Sequence, residues 1–213
     1  MPDILIYLVT ALGAYLLGSI PFGFLAAQAK GIDIRSVGSG NIGATNAMRV
    51  LGKPTGIFVL LMDALKGYAA VWLCAMILTH ENATANLIQT DCIIAGIGAV
   101  LGHNYTCWLK FKGGKGIATT AGVYLALAPW ALLIGLIVFL VTVLVTRYVS
   151  VGSIAAAIAL PATVWVMSPN NLFLGIVTTA LGLLAIYKHK GNIQRLMRGT
   201  ENRLGQKKAE AAK

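Results

Sequence analysis

The feature that most limits what this chain can fold into is a succession of apolar runs. They lie at about 4–29, 54–79, 92–108, 117–128, 131–146, 151–167 and 171–187, parted by short polar or proline-marked breaks. A bilayer core takes about 20 apolar residues per helical crossing, and a helix satisfies its own backbone there. A chain of 213 residues that is 57% hydrophobic and 11% charged therefore reads as all-α, a polytopic integral membrane helical bundle of about seven transmembrane helices. It forms a single membrane-embedded domain, 1–213, with a polar cytoplasmic tail over 199–213; the last stretch, 206–213, is read as disordered or interfacial. The run at 117–128 is too short to cross unaided. It is expected to be a broken helix, a re-entrant element or one bent unit with the next run, with five spans as the fallback count. Only Asp3 precedes the first run, where a signal peptide would carry basic residues, so that run is read as a retained helix.

Orientation follows from the cations, because Lys and Arg stay on the cytoplasmic side. Lys30, Arg35, Arg49 and Lys53 follow the first run, Lys110, Lys112 and Lys115 the third, Arg147 the fifth, and the basic tail from Lys188 the last. The alternate breaks, 80–91, 128–130 and 168–171, hold neither Lys nor Arg. Seven spans then put the N-terminus outside and the C-terminus in the cytoplasm. The formal net charge of +10 has nowhere to sit but loops and tails, which points to anionic ligands. Nucleic acid is not expected as a partner, since no soluble module or basic helix with interleaved aromatics is present. Cys74, Cys92 and Cys107 lack CxxC spacing and suggest neither a disulfide framework nor zinc. No metal-binding cluster and no cofactor is expected.

Three polar segments fall on the cationic side. The first, 36–49, contains Gly38, Gly40 and Gly43 in GxGxxG spacing, but a membrane run rather than a strand precedes it, so a dinucleotide fold is excluded. Its physical content is that glycines let backbone N–H groups approach an anion, with Ser39, Asn41, Thr45, Asn46 and Arg49 as further donors. A tight interhelical turn is the plain alternative. The second segment carries His103 and Asn104, then Lys115 among Gly113, Gly114 and Gly116. It lacks the GxxxxGK[ST] spacing of a Walker loop, yet N–H groups and a lysine at a glycine-rich helix start suit a phosphate. In the third, His189 and Asn192 are three apart and can share a helical face. Asp63 and Lys66, within the second run, are read as a self-paired strut, the functional option being that Lys66 draws an anion into a polar cavity.

Taken together, 38–46 with Arg49, 102–104 with 112–116, and 189–196 with Gly199 and Glu201 resemble the bacterial acyl-phosphate:glycerol-3-phosphate acyltransferases, the PlsY family. The stretches at 18–22 (GSIPF) and 63–67 (DALKG) are also similar to that family, and the likeness runs in order over nearly the whole chain. The resemblance implies a bacterial plasma-membrane enzyme of phospholipid synthesis. It would move a fatty acyl group from acyl phosphate to the sn-1 hydroxyl of glycerol 3-phosphate, giving lysophosphatidic acid and phosphate on the cytoplasmic face. On that basis Ser39, Arg49, Lys115, His189 and Asn192 are expected to be catalytic. Gly38, Gly40, Asn41, Gly43, Thr45, Asn46, His103, Asn104, Gly113, Gly114, Gly116 and Glu201 are expected to bind substrate, and the chain is expected to act as a monomer in membrane lipid. His103, His189 and a substrate phosphate oxygen are each open as the proton acceptor. A His followed four residues on by Asp, the pair used by soluble-type glycerolipid acyltransferases, is absent. The rival reading, an organic-anion transporter, lacks cations at its external breaks and an inverted repeat.

Overall fold

The computed structural model describes residues 3–205, and the notional tail 206–213 lies outside the described residues. All of its regular structure among those residues is helical. α1 (Asp3–Ser19) stops before Pro21 and resumes as α2 (Phe22–Gln28). Proline disfavours a helical residue before it, so the Ile20 carbonyl falls outside the helical ladder and accepts Lys66 Nζ at 2.8 Å. A loop leads to the short α3 (Ala44–Leu51), then α4 (Lys53–His80) and α5 (Ala85–Asn104). The sequence places the start of the third run at 92, but Thr84 caps the helix by accepting Leu87 N–H at 3.3 Å. The polar residues 89–91 are thereby drawn into α5. After a 3₁₀ turn (Cys107–Leu109) come α6 (Ile117–Leu127), α7 (Pro129–Thr146), α8 (Val149–Met167), α9 (Leu172–Lys188) and α10 (Lys190–Met197).

Among the described residues, five units are long and apolar enough to cross a bilayer: Ile4–Gln28, Lys53–His80, Ala85–Leu109, Pro129–Thr146 and Val149–Met167. A sixth span is reached if α9 and α10, bent by 51° at their join, are taken as one. Eleven residues of α6 rise about 16 Å, roughly half the hydrocarbon thickness. A count of seven is therefore reached only by including this half-length helix, which is held by protein rather than lipid. Gly122 lies against the Ala64 carbonyl and Gly67 against that of Thr119, contacts that a Cβ on either glycine would block. Its buried Tyr124 donates to Thr178 Oγ1 on α9 at 2.6 Å.

α1 and α5 pack by the same device. Lipid offers helices no hydrophobic drive to associate, so close contact depends on small residues. A Cβ on Gly98 would stand 2.7 Å from the Ala11 carbonyl oxygen. The pair runs parallel, with Thr10 donating to Asp91 at 2.6 Å near one end and Tyr15 to the Tyr105 carbonyl at 2.7 Å near the other. Outward faces stay apolar and exposed, as at Leu8, Leu12, Leu61, Leu144 and Val166, the distribution of a bundle whose solvent is lipid. Short ties bring the cationic breaks to one end: Lys188 Nζ donates to the Asn104 carbonyl at 2.9 Å, and Leu204 N–H to the Arg147 carbonyl at 2.8 Å. The one-sided pattern of charges is thus a contiguous surface.

Candidate active site

At that end the loop after α2 folds around one side chain. Asn46, buried on α3, accepts Ser39 N–H at 2.8 Å and donates through Nδ2 to the carbonyls of Ile34, Val37 and Asn41 at 3.3, 3.1 and 2.9 Å. Gly38 and Gly40 turn through left-handed backbone (φ +64° and +70°), and a Cβ on Gly38 would fall on Asn46 Oδ1. The expectation that this backbone cradles an anion needs correcting. The N–H groups of Ser39, Gly40 and Gly43 are taken by Asn46 Oδ1, the Val37 carbonyl and Asn41 Oδ1. The glycines serve the turn, and the donors left for a ligand include the Ser39 and Thr45 hydroxyls, the Asn41 amide, Arg49, and the first N–H groups of α3, at Ala44 and Thr45.

Asn46→Asp tests this arrangement, since it replaces a donor facing three carbonyl oxygens with an anion of nearly the same shape. Unmade hydrogen bonds of buried groups cost about 1–3 kcal/mol each. Trypsin should cut at Arg35 at least about 10-fold faster in the folded variant, from a loss of about 1.4 kcal/mol or more in local closure. An unchanged cleavage rate would mean that Asn46 does not hold the loop.

The second segment shows the same economy. Gly113 and Gly114 donate their N–H groups to the carbonyls of Asn104 and His103 at 3.2 and 3.0 Å, and a Cβ on Gly114 would strike the His103 ring. These two glycines and Asn104 do not line the cleft described below; they let the chain close on the end of α5 and project Lys115. Gly116, with φ +82°, starts α6, so that Ile117 and Ala118 present N-terminal N–H groups to the cleft.

The third wall comes from α8, α10 and the strand of chain after it. The buried Glu201 carboxylate accepts Ser150 Oγ at 2.9 Å, Asn192 Nδ2 at 2.7 Å and Arg195 Nε at 2.7 Å. Asn192 Oδ1 in turn accepts Lys115 Nζ. Glu201, expected to contact substrate, is thereby engaged by protein and fixes the direction of Asn192 and Arg195. Its pKa is lowered: burial raises it, but the bonds from Asn192, Arg195 and Ser150 outweigh that. Lys115 is brought down to about 8, first by burial; Glu201 opposes the shift and Arg195 and Arg49 add to it. His189, beyond the end of α9, places Nδ1 2.8 Å from the Ala185 carbonyl, the tautomer that leaves Nε2 as an acceptor. Burial and then the Lys115 charge hold its pKa at about 4, so it is neutral.

These walls enclose a cleft of about 160 Å³. Ser39, Arg49, Lys115, His189 and Asn192, drawn from three segments of sequence, all line it. So do Asn41, Gly43, Thr45, Asn46, His103, Gly116 and Glu201, whereas Gly38, Gly40, Asn104, Gly113 and Gly114 do not. Sequence reasoning leaves out Ser150, Ser153, Arg195 and Asn202, and treats Asp63 only as a strut; all five line the cleft. The available signal was Ser150 and Ser153, three apart just after Arg147 at the cationic end, but serines are common in apolar helices. Lys66 does act as the strut, bound to Asp63 at 2.9 Å and to Ile20. Leu60, Ile117, Phe139 and Val149 make the rest of the wall apolar.

Neither Arg49 nor Lys115 has a carboxylate within ion-pair distance among the described residues. A cleft with unmatched cations and the N-termini of α3, α6 and α8, at one end of an apolar bundle, defines a membrane protein that handles anions where lipid meets water. Comparison with known proteins makes the class particular. Residues 8–199 match the family model for glycerol-3-phosphate acyltransferase, and the chain belongs to that family. It is 49% identical over 200 residues to the glycerol-3-phosphate acyltransferase of Desulforamulus reducens, covering 92% of this chain and 94% of that one. With that of Geobacter metallireducens it shares 51% over 201 residues, covering 93% and 98%. Crystal structures of PlsY (YgiH), an integral membrane glycerol 3-phosphate acyltransferase, superpose with TM-scores of 0.82 for the glycerol 3-phosphate form and 0.79 for the lysophosphatidic acid form. Sequence identity is 41% and 40%, each match covering 93% of this chain and 96% and 95% of the other.

Proposed function

We propose that the chain transfers a fatty acyl group from acyl phosphate to the sn-1 hydroxyl of glycerol 3-phosphate, releasing lysophosphatidic acid and inorganic phosphate. It would do so as a monomer in the bacterial plasma membrane, with the cleft on the cytoplasmic face, the N-terminus outside and the C-terminus in the cytoplasm. The observation that carries this reading is the convergence of Arg49, Lys115 and three helix N-termini on one cleft with an apolar wall. Two phosphorylated substrates need that much positive potential, and the acyl chain needs the apolar side. The cationic end of the bundle supports the orientation.

The chemistry asks little of the protein beyond placement. Acyl phosphate is a mixed anhydride; the hydroxyl oxygen attacks its carbonyl carbon, the bond to the phosphate oxygen breaks, and phosphate leaves carrying the hydroxyl proton. No proton is released overall. Lys115 and Arg49 hold the phosphates and, with the N–H groups of α3 and α6, stabilise charge developing on oxygen. Ser39 orients the reacting carbonyl, and Asn192, aimed by Glu201, fixes Lys115. His189 Nε2 accepts a hydrogen bond from the substrate and aligns the attacking hydroxyl. With a pKa of about 4 it is a weaker base than a phosphate oxygen, whose second pKa is about 6; the departing phosphate is the stronger proton acceptor.

Purified protein in detergent should convert acyl phosphate and glycerol 3-phosphate to lysophosphatidic acid and phosphate in equal amounts, with acyl-CoA a poor donor. Folded protein that makes no lysophosphatidic acid refutes the proposal. The Lys115 ammonium is present below its pKa of about 8 and lost above it. The kcat/KM for glycerol 3-phosphate should therefore fall as pH rises through about 8, and Lys115→Arg, which stays charged, should abolish that limb while lowering activity. A limb that persists in the arginine variant would assign it to another group.

A further inference from the structure

Another part of the cleft wall carries an acid whose charge is already matched. Asp63 on α4 and His103 on α5 both line it and are both buried, with Asp63 Oδ1 3.4 Å from His103 Nδ1. Two helices thus build the carboxylate–imidazole pair that the sequence lacks at local spacing. Lys66 neutralises Asp63 from the side away from the cleft, and its Nζ is anchored on the Ile20 carbonyl. Asp63 Oδ1 and His103 Nδ1 are sealed from solvent. The second carboxylate oxygen and the imidazole Nε2 are not among the sealed atoms, and Nε2 lies against Gly114, next in sequence to the cleft-lining Lys115.

Ionisable groups at this depth are costly, and a strut alone would not need to open onto a cleft. A carboxylate balanced by its own cation offers a phosphate no attraction but still accepts hydroxyl hydrogen bonds. The cleft is therefore divided between unmatched cations, Arg49 and Lys115, which take phosphate, and the Lys66-balanced Asp63 beside His103, which takes a hydroxyl. Glycerol 3-phosphate carries two hydroxyls. The reacting one must give its proton towards the departing phosphate, among the cations, so the other is the one that meets the carboxylate. Resting on the function proposed above, we infer that Asp63 and His103 bind the hydroxyl of glycerol 3-phosphate that is not acylated, and so select which oxygen attacks.

The test compares glycerol 3-phosphate with propane-1,3-diol monophosphate, which lacks the secondary hydroxyl. Sites built to bond a hydroxyl reject analogues without it, and wild-type kcat/KM should favour glycerol 3-phosphate by about 30-fold or more. In His103→Gln, and in the double variant Asp63→Asn with Lys66→Met, which removes both charges together, the ratio should fall below about 5. A wild-type enzyme that uses both acceptors equally overturns the inference, whether or not the variants fold. So do folded variants that slow both acceptors alike and keep the ratio, the signature of a structural role. If the wild type acylates neither acceptor, the proposed function itself fails.

Discussion

Arg49→Ala should lower kcat/KM for acyl transfer by about 100-fold or more while leaving thermal stability within about 2 °C of wild type. The split follows from where the residue stands. Arg49 lies on the exposed side of α3, has no carboxylate partner among the described residues, and lines the cleft. Its loss removes nothing the fold depends on but takes away one of two unmatched cations. A charge-assisted bond to phosphate contributes about 1.5–3 kcal/mol, or about 10- to 150-fold, and stabilisation of developing charge adds to that. Arg49→Lys should recover only part of the rate, since a single ammonium cannot reproduce a bidentate grip. Steady-state kinetics beside a thermal unfolding curve in detergent read both quantities. A drop in stability that matches the lost activity would make Arg49 a structural residue.

Glu201→Ala should behave in the opposite way, losing stability and activity together. Its carboxylate gathers Ser150, Asn192 and Arg195, from α8 and α10, and through Asn192 it directs Lys115. Losing a charged acceptor of three hydrogen bonds, one of them from the partly exposed Arg195, costs about 1.5–3 kcal/mol, which for a domain of this size is about 3–12 °C in Tm. Activity measured well below the new Tm should still be reduced at least about 10-fold, as Asn192 loses the bond that orients it. Glu201→Gln should restore most of the Asn192 alignment and less of the Arg195 contact. A Glu201→Ala protein with wild-type stability and a raised KM alone would place Glu201 in direct contact with substrate.

Much of this was legible in the sequence, for reasons that differ by residue. Apolar runs report helices directly, because lipid tolerates little else, and the one-sided cations marked the end at which the cleft lies. The helix count was less legible: the length of the 117–128 run marked it as too short to cross, but whether it was a broken helix, a re-entrant element or one unit with the next run is settled by its standing as a separate helix, α6, packed on α4. Side chains such as Ser39, Lys115 and Asn192 stood out as polar groups beside glycines on the cationic side, and with Arg49 and His189 they took their expected roles from the family resemblance. What the glycines do was not legible, since a free N–H and one consumed by Asn46 or by the His103 carbonyl have the same sequence. Ser150 and Asp63 were hidden for a related reason. Each sits in an apolar helix, where a hydroxyl commonly bonds its own backbone and a charge pairs with a neighbour; their opening onto the cleft is a tertiary fact.

The central claim is that both substrates occupy one composite cleft and react there directly. Initial rates over a grid of acyl phosphate and glycerol 3-phosphate concentrations test it most directly. Double-reciprocal lines should intersect, as for a ternary complex, and acyl phosphate alone should release no burst of phosphate. Parallel lines with a burst equal to the enzyme concentration, the pattern of a covalent acyl-enzyme, would contradict it.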